Sequence, residues 1–251
     1  MEHHFPPTFD RYAIAITSLP ARDALLKGDL LNDQFLISAH GSLAIYYAPF
    51  DFVNVRAKVA IVGITPGWTQ MEIAFRHASA TLRSGGTAAT ALQSAKQEAS
   101  FAGAMRKNLV KMLDEIGLNR AMGLKSCDDL FDCSRQLIHT TSAVRHPVFV
   151  RGQTNYTGHT PKLLSHTAMT DYVNGVLAPE LDALPQALVV PLGQCVDSVL
   201  RHLIGLGRLE QKRCLLGFPH PSGANGQRQT EFALGRDEFI RVIDDWGKAS
   251  L

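Results

Sequence analysis

The feature that most constrains this chain is the run Lys58-Val59-Ala60-Ile61-Val62-Gly63, an unbroken apolar, β-branched segment that stops at Gly63-Ile64-Thr65-Pro66-Gly67. A half-exposed strand alternates polar and apolar residues. A run without alternation fits a strand buried on both faces of a parallel sheet. The turn that follows leads into a helical pattern, and such a strand-turn-helix junction is where doubly wound α/β proteins place their ligands.

Three further segments read as strands: 136–144, rich in Thr and branched residues; Ala187-Leu188-Val189-Val190-Pro191-Leu192-Gly193; and Arg213-Cys214-Leu215-Leu216-Gly217-Phe218. Between them the apolar spacing of Leu92, Ala95, Ala99, Ala102, Met105, Leu109, Met112, Leu113 and Ile116 predicts one or two helices stopped by Gly117. Further helices are predicted over 163–184, broken near Pro179, over 195–204 and over 231–246. Strands separated by helices make a three-layer α/β/α architecture with a central four-stranded parallel sheet the expected fold. Residues 1–54, with a helical piece over 22–31 and the aromatic patch Ile45-Tyr46-Tyr47-Ala48-Pro49-Phe50, are expected to form a helical cap on a single domain spanning 1–251.

Composition narrows the function classes. With 251 residues, 45% of them hydrophobic and 19% charged, the chain has the make-up of one sizeable globular α/β domain. No apolar run approaches the roughly 20 residues of a membrane helix, so no membrane partner is expected. The segment Met1-Glu2-His3-His4-Phe5-Pro6-Pro7 lacks the basic region and apolar core of a secretory signal, which predicts a cytosolic protein. Cys127, Cys133, Cys195 and Cys214 lack metal or redox spacing and read as free, mostly buried thiols. A formal net charge of +2 does not by itself point to nucleic acid. A local basic face does offer one: Arg145, His146, Arg151, His159, Lys162 and His166 occupy a stretch without acidic residues between Val144 and Asp171. A solvated loop is the alternative reading of the same stretch.

The last predicted strand ends in Pro219-His220-Pro221-Ser222-Gly223-Ala224-Asn225-Gly226. A glycine and proline turn after a strand can be structural alone. Two rigid polar loops at the carboxyl ends of strands imply a shared cleft. The pair resembles the two signature motifs of the uracil-DNA glycosylase superfamily, a Gly-x-x-Pro-Gly first motif and a His-Pro-Ser second motif, in the same order and at comparable separation. The resemblance covers roughly residues 55–245, and Arg228 stands at the spacing of the arginine that follows the second motif in that superfamily.

The resemblance implies an enzyme that flips uracil out of DNA and hydrolyses its N-glycosidic bond, leaving an abasic site for base excision repair. His220 is then the catalytic donor to the uracil anion, by oxyanion-hole logic. Thr65 stands where relatives carry aspartate or asparagine to orient the attacking water. Threonine is no general base, but its hydroxyl can position a water. The substrate-binding residues implied are Gly63, Ile64, Pro66, Gly67, Phe75 as the aromatic platform, and Ser142 in place of the absent edge-reading asparagine, with Asn155 as a second candidate. Gly67 replaces a tyrosine that excludes the thymine methyl, which leaves room for larger bases unless Trp68 refills it. Ser222, Gly223, Asn225 and Arg228, with Gly226, are implied to grip the DNA backbone, and Arg145 to contact DNA. Ala224 stands where a wedging apolar side chain is common. The first cysteine comes too late for the iron-sulfur members' pattern, so no cofactor and no metal are expected. The expected partner is uracil-containing DNA, the expected state a monomer. A non-catalytic damaged-DNA-binding protein of the same fold is the main alternative, and a nucleoside hydrolase a third reading.

Overall fold

The computed structural model describes residues 8–101 and 104–250. The sequence readings of Met1 to Pro7 and of Ala102 lie outside the described residues. Helices α1 (Phe9–Thr17) and α2 (Lys27–Leu30) precede strands β1 (Leu36–His40), β2 (Leu43–Tyr46) and β3 (Val59–Gly63). Next come α3 (Trp68–Arg83), α4 (Ala88–Ala99), α5 (Ala104–Glu115) and α6 (Leu118–Ala121), then β4 (Ile138–Ser142), β5 (Val148–Val150) and β6 (Thr154–Asn155). Helices α7 (Thr167–Tyr172) and α8 (Ala178–Asp182) flank a π-helical stretch, Val173–Leu177. Strand β7 (Leu188–Pro191) and helices α9 (Gln194–Gly205) and α10 (Arg228–Ser250) complete the chain.

Two compact units emerge. One combines Met1–Val53, Thr65–Ser100 and Val144–Val176; the other combines Asn54–Ile64, Phe101–Ala143 and Leu177–Leu251. We call them the antiparallel and the parallel unit after their sheets.

In the parallel unit the strand order is β4-β3-β7, all parallel, with Val59 level with Ile138 and Leu188. Every residue of β3 is buried, as its unbroken apolar run requires. Side-chain alternation turns Val59, Ile61, Ile138, Leu188 and Val190 to one face, where they share a core with Leu109 and Leu113 of α5, Ile116 just after it, and Phe239, Ile243 and Trp246 of α10. On the opposite face of β4, His139 meets Glu180 of α8: Nε2 and Oε1 are 2.6 Å apart and both side chains are fully enclosed. The Asn54 N–H donates to His139 Nδ1 at 3.3 Å, so the ring's proton is on Nε2, facing the carboxylate. Helices therefore lie on both faces of the sheet.

The sheet has three strands, not the four expected. Around 213–218 a 3₁₀ turn, Gln211–Arg213, is followed by a single parallel bridge from Cys214 to Val189. Arg213 explains the early stop: it is buried, and its guanidinium donates to the carbonyls of Leu184 and Ala187 at 3.0 and 2.9 Å. That anchors the segment as a bridge and leaves Gly217, at φ +84°, to turn it away.

The antiparallel unit corrects the helical cap expected over 1–54. Among the described residues there, only α1 and α2 are helical, and β1 and β2 form a hairpin continued by β5 and β6 in one antiparallel sheet. The helical piece expected over 22–31 shrinks to Lys27–Leu30. The unit's core is lined by Phe9, Tyr12 and Ile16 of α1, by Phe35 and Tyr47 at the ends of the β1-β2 hairpin, by Met71 and Phe75 of α3, Ala91 and Ala95 of α4, and Phe149 of β5. The basic stretch is correspondingly not one solvated loop, because His146 and Phe149 within it are fully buried. Among the four cysteines, Cys127 and Cys214 are buried, Cys195 is half-buried and Cys133 is exposed.

Removing the Glu180 carboxylate takes from the enclosed His139 Nε2–H its 2.6 Å acceptor. Glu180→Ala is expected to lower stability by on the order of 3 kcal/mol. In urea unfolding the midpoint should fall while the slope is kept.

Candidate active site

In the parallel unit the expected site residues collect at the carboxyl edge of the sheet. Gly63 ends β3 directly opposite Ser142, the last residue of β4, and the Ala143 N–H bonds the Gly63 carbonyl at 2.8 Å. A Cβ built on Gly63 would lie 3.5 Å from Ser142 Oγ, so the hydroxyl stands beside the glycine. After β7, Gly193 adopts φ +87°, and a Cβ there would come within 3.0 Å of the His220 Cβ. Only glycine lets the two segments approach so closely. The Gly193 N–H also bonds the Phe218 carbonyl at 3.0 Å, so the end of β7 carries the second loop and its histidine.

That loop braces itself. The Ser222 N–H donates to His220 Nδ1 at 3.2 Å, which makes Nδ1 the acceptor and leaves the proton of a neutral ring on Nε2. Burial lowers the pKa of His220, so the neutral form persists below the ordinary value near 6.5. Asn225 Nδ2 donates to the His220 carbonyl and to Glu231 Oε2, at 3.3 and 3.1 Å, and its Oδ1 accepts from the Gln227 N–H. Arg228 Nη1 donates to the carbonyls of Pro221 and Ser222 at 3.3 and 2.8 Å. Ser222 Oγ accepts from the Ala224 N–H at 3.1 Å. Gly223 and Ala224 are exposed at the loop's tip. Three of the expected DNA contacts, Ser222, Asn225 and Arg228, thus hold the loop's shape. Asn108 of α5, which the sequence did not single out, anchors it further through the Pro221 carbonyl at 2.9 Å.

The chain passes from the parallel to the antiparallel unit between Ile64 and Thr65. Thr65 Oγ1 donates to the His146 carbonyl at 2.9 Å and accepts from the Val148 N–H at 3.1 Å. The hydroxyl is therefore a staple between the first motif and the start of β5. Pro66 is buried, and Gly67 caps α3, its N–H bonding Gln70 Oε1 at 2.6 Å. Asn155 Oδ1 accepts from the Trp68 N–H at 3.0 Å, and a Cβ on Gly67 would meet Asn155 Nδ2 at 3.1 Å. The space beside the glycine is thus filled by the Asn155 carboxamide. Phe75 is fully buried and packs edge-on against Phe35 at 4.7 Å, so it offers no open ring face and serves the core.

Arg145, expected to contact DNA, lies beside Asp51. Its side chain is 14% exposed and its Nη1 lies 3.8 Å from Asp51 Oδ1. Asp51 Oδ2 accepts a 2.7 Å bond from Tyr47 Oη. Burial, reinforced by Asp51, pushes the Tyr47 pKa far up and keeps the phenol protonated. Tyr47 stacks on Tyr12 at 3.9 Å and lies 5.1 Å from the His146 ring, which in turn packs against Tyr172. The Ala48 N–H reaches His146 Nδ1 at 3.5 Å. Tyr12 Oη and Tyr172 Oη are buried without a hydrogen-bond partner among the described residues, an uncommon condition for phenols. The sequence marks this polar cluster at two places, the aromatic patch that runs up to Asp51 and the basic stretch that begins at Arg145 and His146.

Among the described residues no three His, Cys, Asp or Glu side chains converge as a metal site requires. Among the described residues no helix is long and apolar enough to cross a membrane.

The profile of the uracil DNA glycosylase superfamily matches residues 50–246, and the chain belongs to that superfamily. Membership points to a DNA glycosylase, with DNA as its partner. The chain is 40% identical over 234 residues to a Bacillus subtilis (strain 168) protein named "Uncharacterized protein YoxB", covering 92% of this chain and 90% of that one. No solved structure matches the chain.

The staple is testable apart from any activity. Thr65→Val orphans the Val148 N–H and the His146 carbonyl and should cost about 1–3 kcal/mol in chemical denaturation. Thr65→Ser keeps both bonds and should remain within about 1 kcal/mol of wild type.

Proposed function

We propose that the protein is a monofunctional uracil-DNA glycosylase of base excision repair, releasing uracil from DNA and leaving an abasic site. The observation that carries this reading is the hydrogen bond from the Ser222 N–H to His220 Nδ1. It aims a neutral Nε2–H donor from the carboxyl edge of a parallel sheet, where α/β proteins bind ligands.

Cleavage of the N-glycosidic bond leaves an electron-poor sugar and a uracil anion. The Nε2–H strengthens its hydrogen bond as charge gathers on a uracil carbonyl oxygen, and the anion leaves. Water then adds to the sugar carbon, and its proton is released to solvent or to the departing base. With the Thr65 hydroxyl engaged twice within its own unit, its role is to position the first motif, and the water needs no strong base because the carbon it attacks is already electrophilic. Gly63, Ile64 and Ser142, which close the carboxyl edge of the parallel sheet, are assigned to the base, and the exposed Gly223 tip to the DNA backbone. Flipping costs a few kcal/mol and least at a mismatch, so uracil opposite guanine and single-stranded uracil are the favoured substrates. We place the activity in a cytosolic monomer.

The doubly engaged Thr65 hydroxyl also favours a second reading, a damaged-DNA-binding protein that does not cut. A labelled uracil-containing oligonucleotide separates the two. Wild type should release uracil and His220→Ala should lose about 10²–10³ in rate while still binding DNA. Absence of release by wild type, with binding retained, selects the second reading.

The pH dependence follows from the lowered His220 pKa. The neutral donor is fully present above that pKa and is lost as pH falls through it. The rate at saturating substrate should therefore stay flat as pH drops through 6.5 and decline only at lower pH. A decline centred on the ordinary imidazole value would count against a buried, neutral His220.

A further inference from the structure

The chain contains two Asn-Gly pairs, Asn174-Gly175 and Asn225-Gly226. In such a pair no side chain on the second residue keeps its nitrogen from the asparagine carboxamide, so the backbone alone decides whether the two can meet. Asn174 and Gly175 lie in the π-helical stretch Val173–Leu177, and a helical backbone turns the following nitrogen away from the side chain. Asn225 lies instead in the loop before α10. Its Oδ1 accepts from the Gln227 N–H at 3.1 Å, an arrangement that folds the carboxamide back over the Gly226 nitrogen. Gly226 is exposed, and a Cβ built on it meets nothing within 4 Å, so water reaches the pair from its open side. The same carboxamide braces the second loop: Nδ2 donates to the His220 carbonyl at 3.3 Å and to Glu231 Oε2 at 3.1 Å. Both bonds require an amide.

We propose that Asn225-Gly226 is a site of spontaneous deamidation, and that its conversion to aspartate or isoaspartate unbraces the loop that carries His220. The Gly226 nitrogen gives up its proton to water and bonds to Asn225 Cγ. The Gln227 N–H already on Oδ1 stabilises the negative charge that gathers there. The bond from Cγ to Nδ2 then breaks, and Nδ2 takes a proton from water and leaves as ammonia. Water opens the resulting cyclic imide at either carbonyl, with no change of oxidation state. Aspartate puts an oxygen where the amide N–H groups stood, against the His220 carbonyl and the Glu231 carboxylate, so two attractions become two repulsions. Isoaspartate reroutes the main chain through Cβ and Cγ and lengthens the turn by a methylene. The modification is independent of the protein's activity; its effect on base release rests on the glycosylase reading.

The test incubates the folded full chain at mildly alkaline pH and follows the tryptic peptide 214–228 by mass and by isoaspartate content. That peptide should turn from amide to acid with release of ammonia, while the peptide carrying Asn174 stays an amide. Gly226→Ala sets a methyl beside the attacking nitrogen and should slow the conversion by about 10-fold. Converted protein, and fresh Asn225→Asp, should exchange the backbone amide hydrogens of 220–227 faster than fresh wild type and release uracil about 10-fold more slowly. An unchanged amide in the folded protein, under conditions that convert the urea-unfolded chain, overturns the proposal. Conversion that leaves the loop's hydrogen exchange as it was overturns the unbracing. Should fresh wild type release no base, the glycosylase reading fails, and conversion and hydrogen exchange decide the proposal by themselves.

Discussion

Burial of β3 on both faces is the constraint from which the functional geometry follows. Neither side of such a strand can carry a reactive polar group without stranding it in the core, so chemistry is confined to the carboxyl end. The polar residues of the parallel unit obey this. Ser142 and Gly63 end their strands side by side, and Gly193 turns out of β7 with its backbone against His220. Within the layers the enclosed His139 and Glu180 side chains meet each other at 2.6 Å.

Both motif loops are built more for rigidity than for display. Asn225, Arg228 and Ser222 bond back to their own loop, and Asn108 fastens it from α5. Thr65 spends its hydroxyl on two backbone groups of the antiparallel unit. A catalytic donor is useful only when held still, because preorganised dipoles need no rearrangement as charge develops. In the second loop, the residues that resemble phosphate grips are the ones that fix the His220 tautomer and direction.

Legibility varied with the range of the interactions. Strand β3, the helices over 88–117 and the C-terminal helix were readable because a few neighbouring residues set their periodicity. The fourth strand was misread: 213–218 has a strand's composition, but buried Arg213 and Gly217 hold it to one bridge. The β1-β2 hairpin has a local signal that the helical-cap expectation passes over, two short segments, Leu36–His40 and Leu43–Tyr46, joined by the Gly41-Ser42 turn. Phe75 fits the spacing of an aromatic platform, but spacing does not distinguish a ring in a pocket from one in a core.

The sequence by itself determined a parallel α/β sheet and two rigid polar loops, the first at the end of β3, because burial pattern and turn chemistry are written in neighbouring residues. Only the tertiary structure decided which polar groups those loops leave available. Thr65 meets partners 81 and 83 positions away, and Arg145 meets Asp51 across a similarly long stretch of chain. A hydrogen bond between distant residues leaves no trace in local periodicity, so the division between a group that braces a loop and one that can meet a base emerges only when the chain is folded.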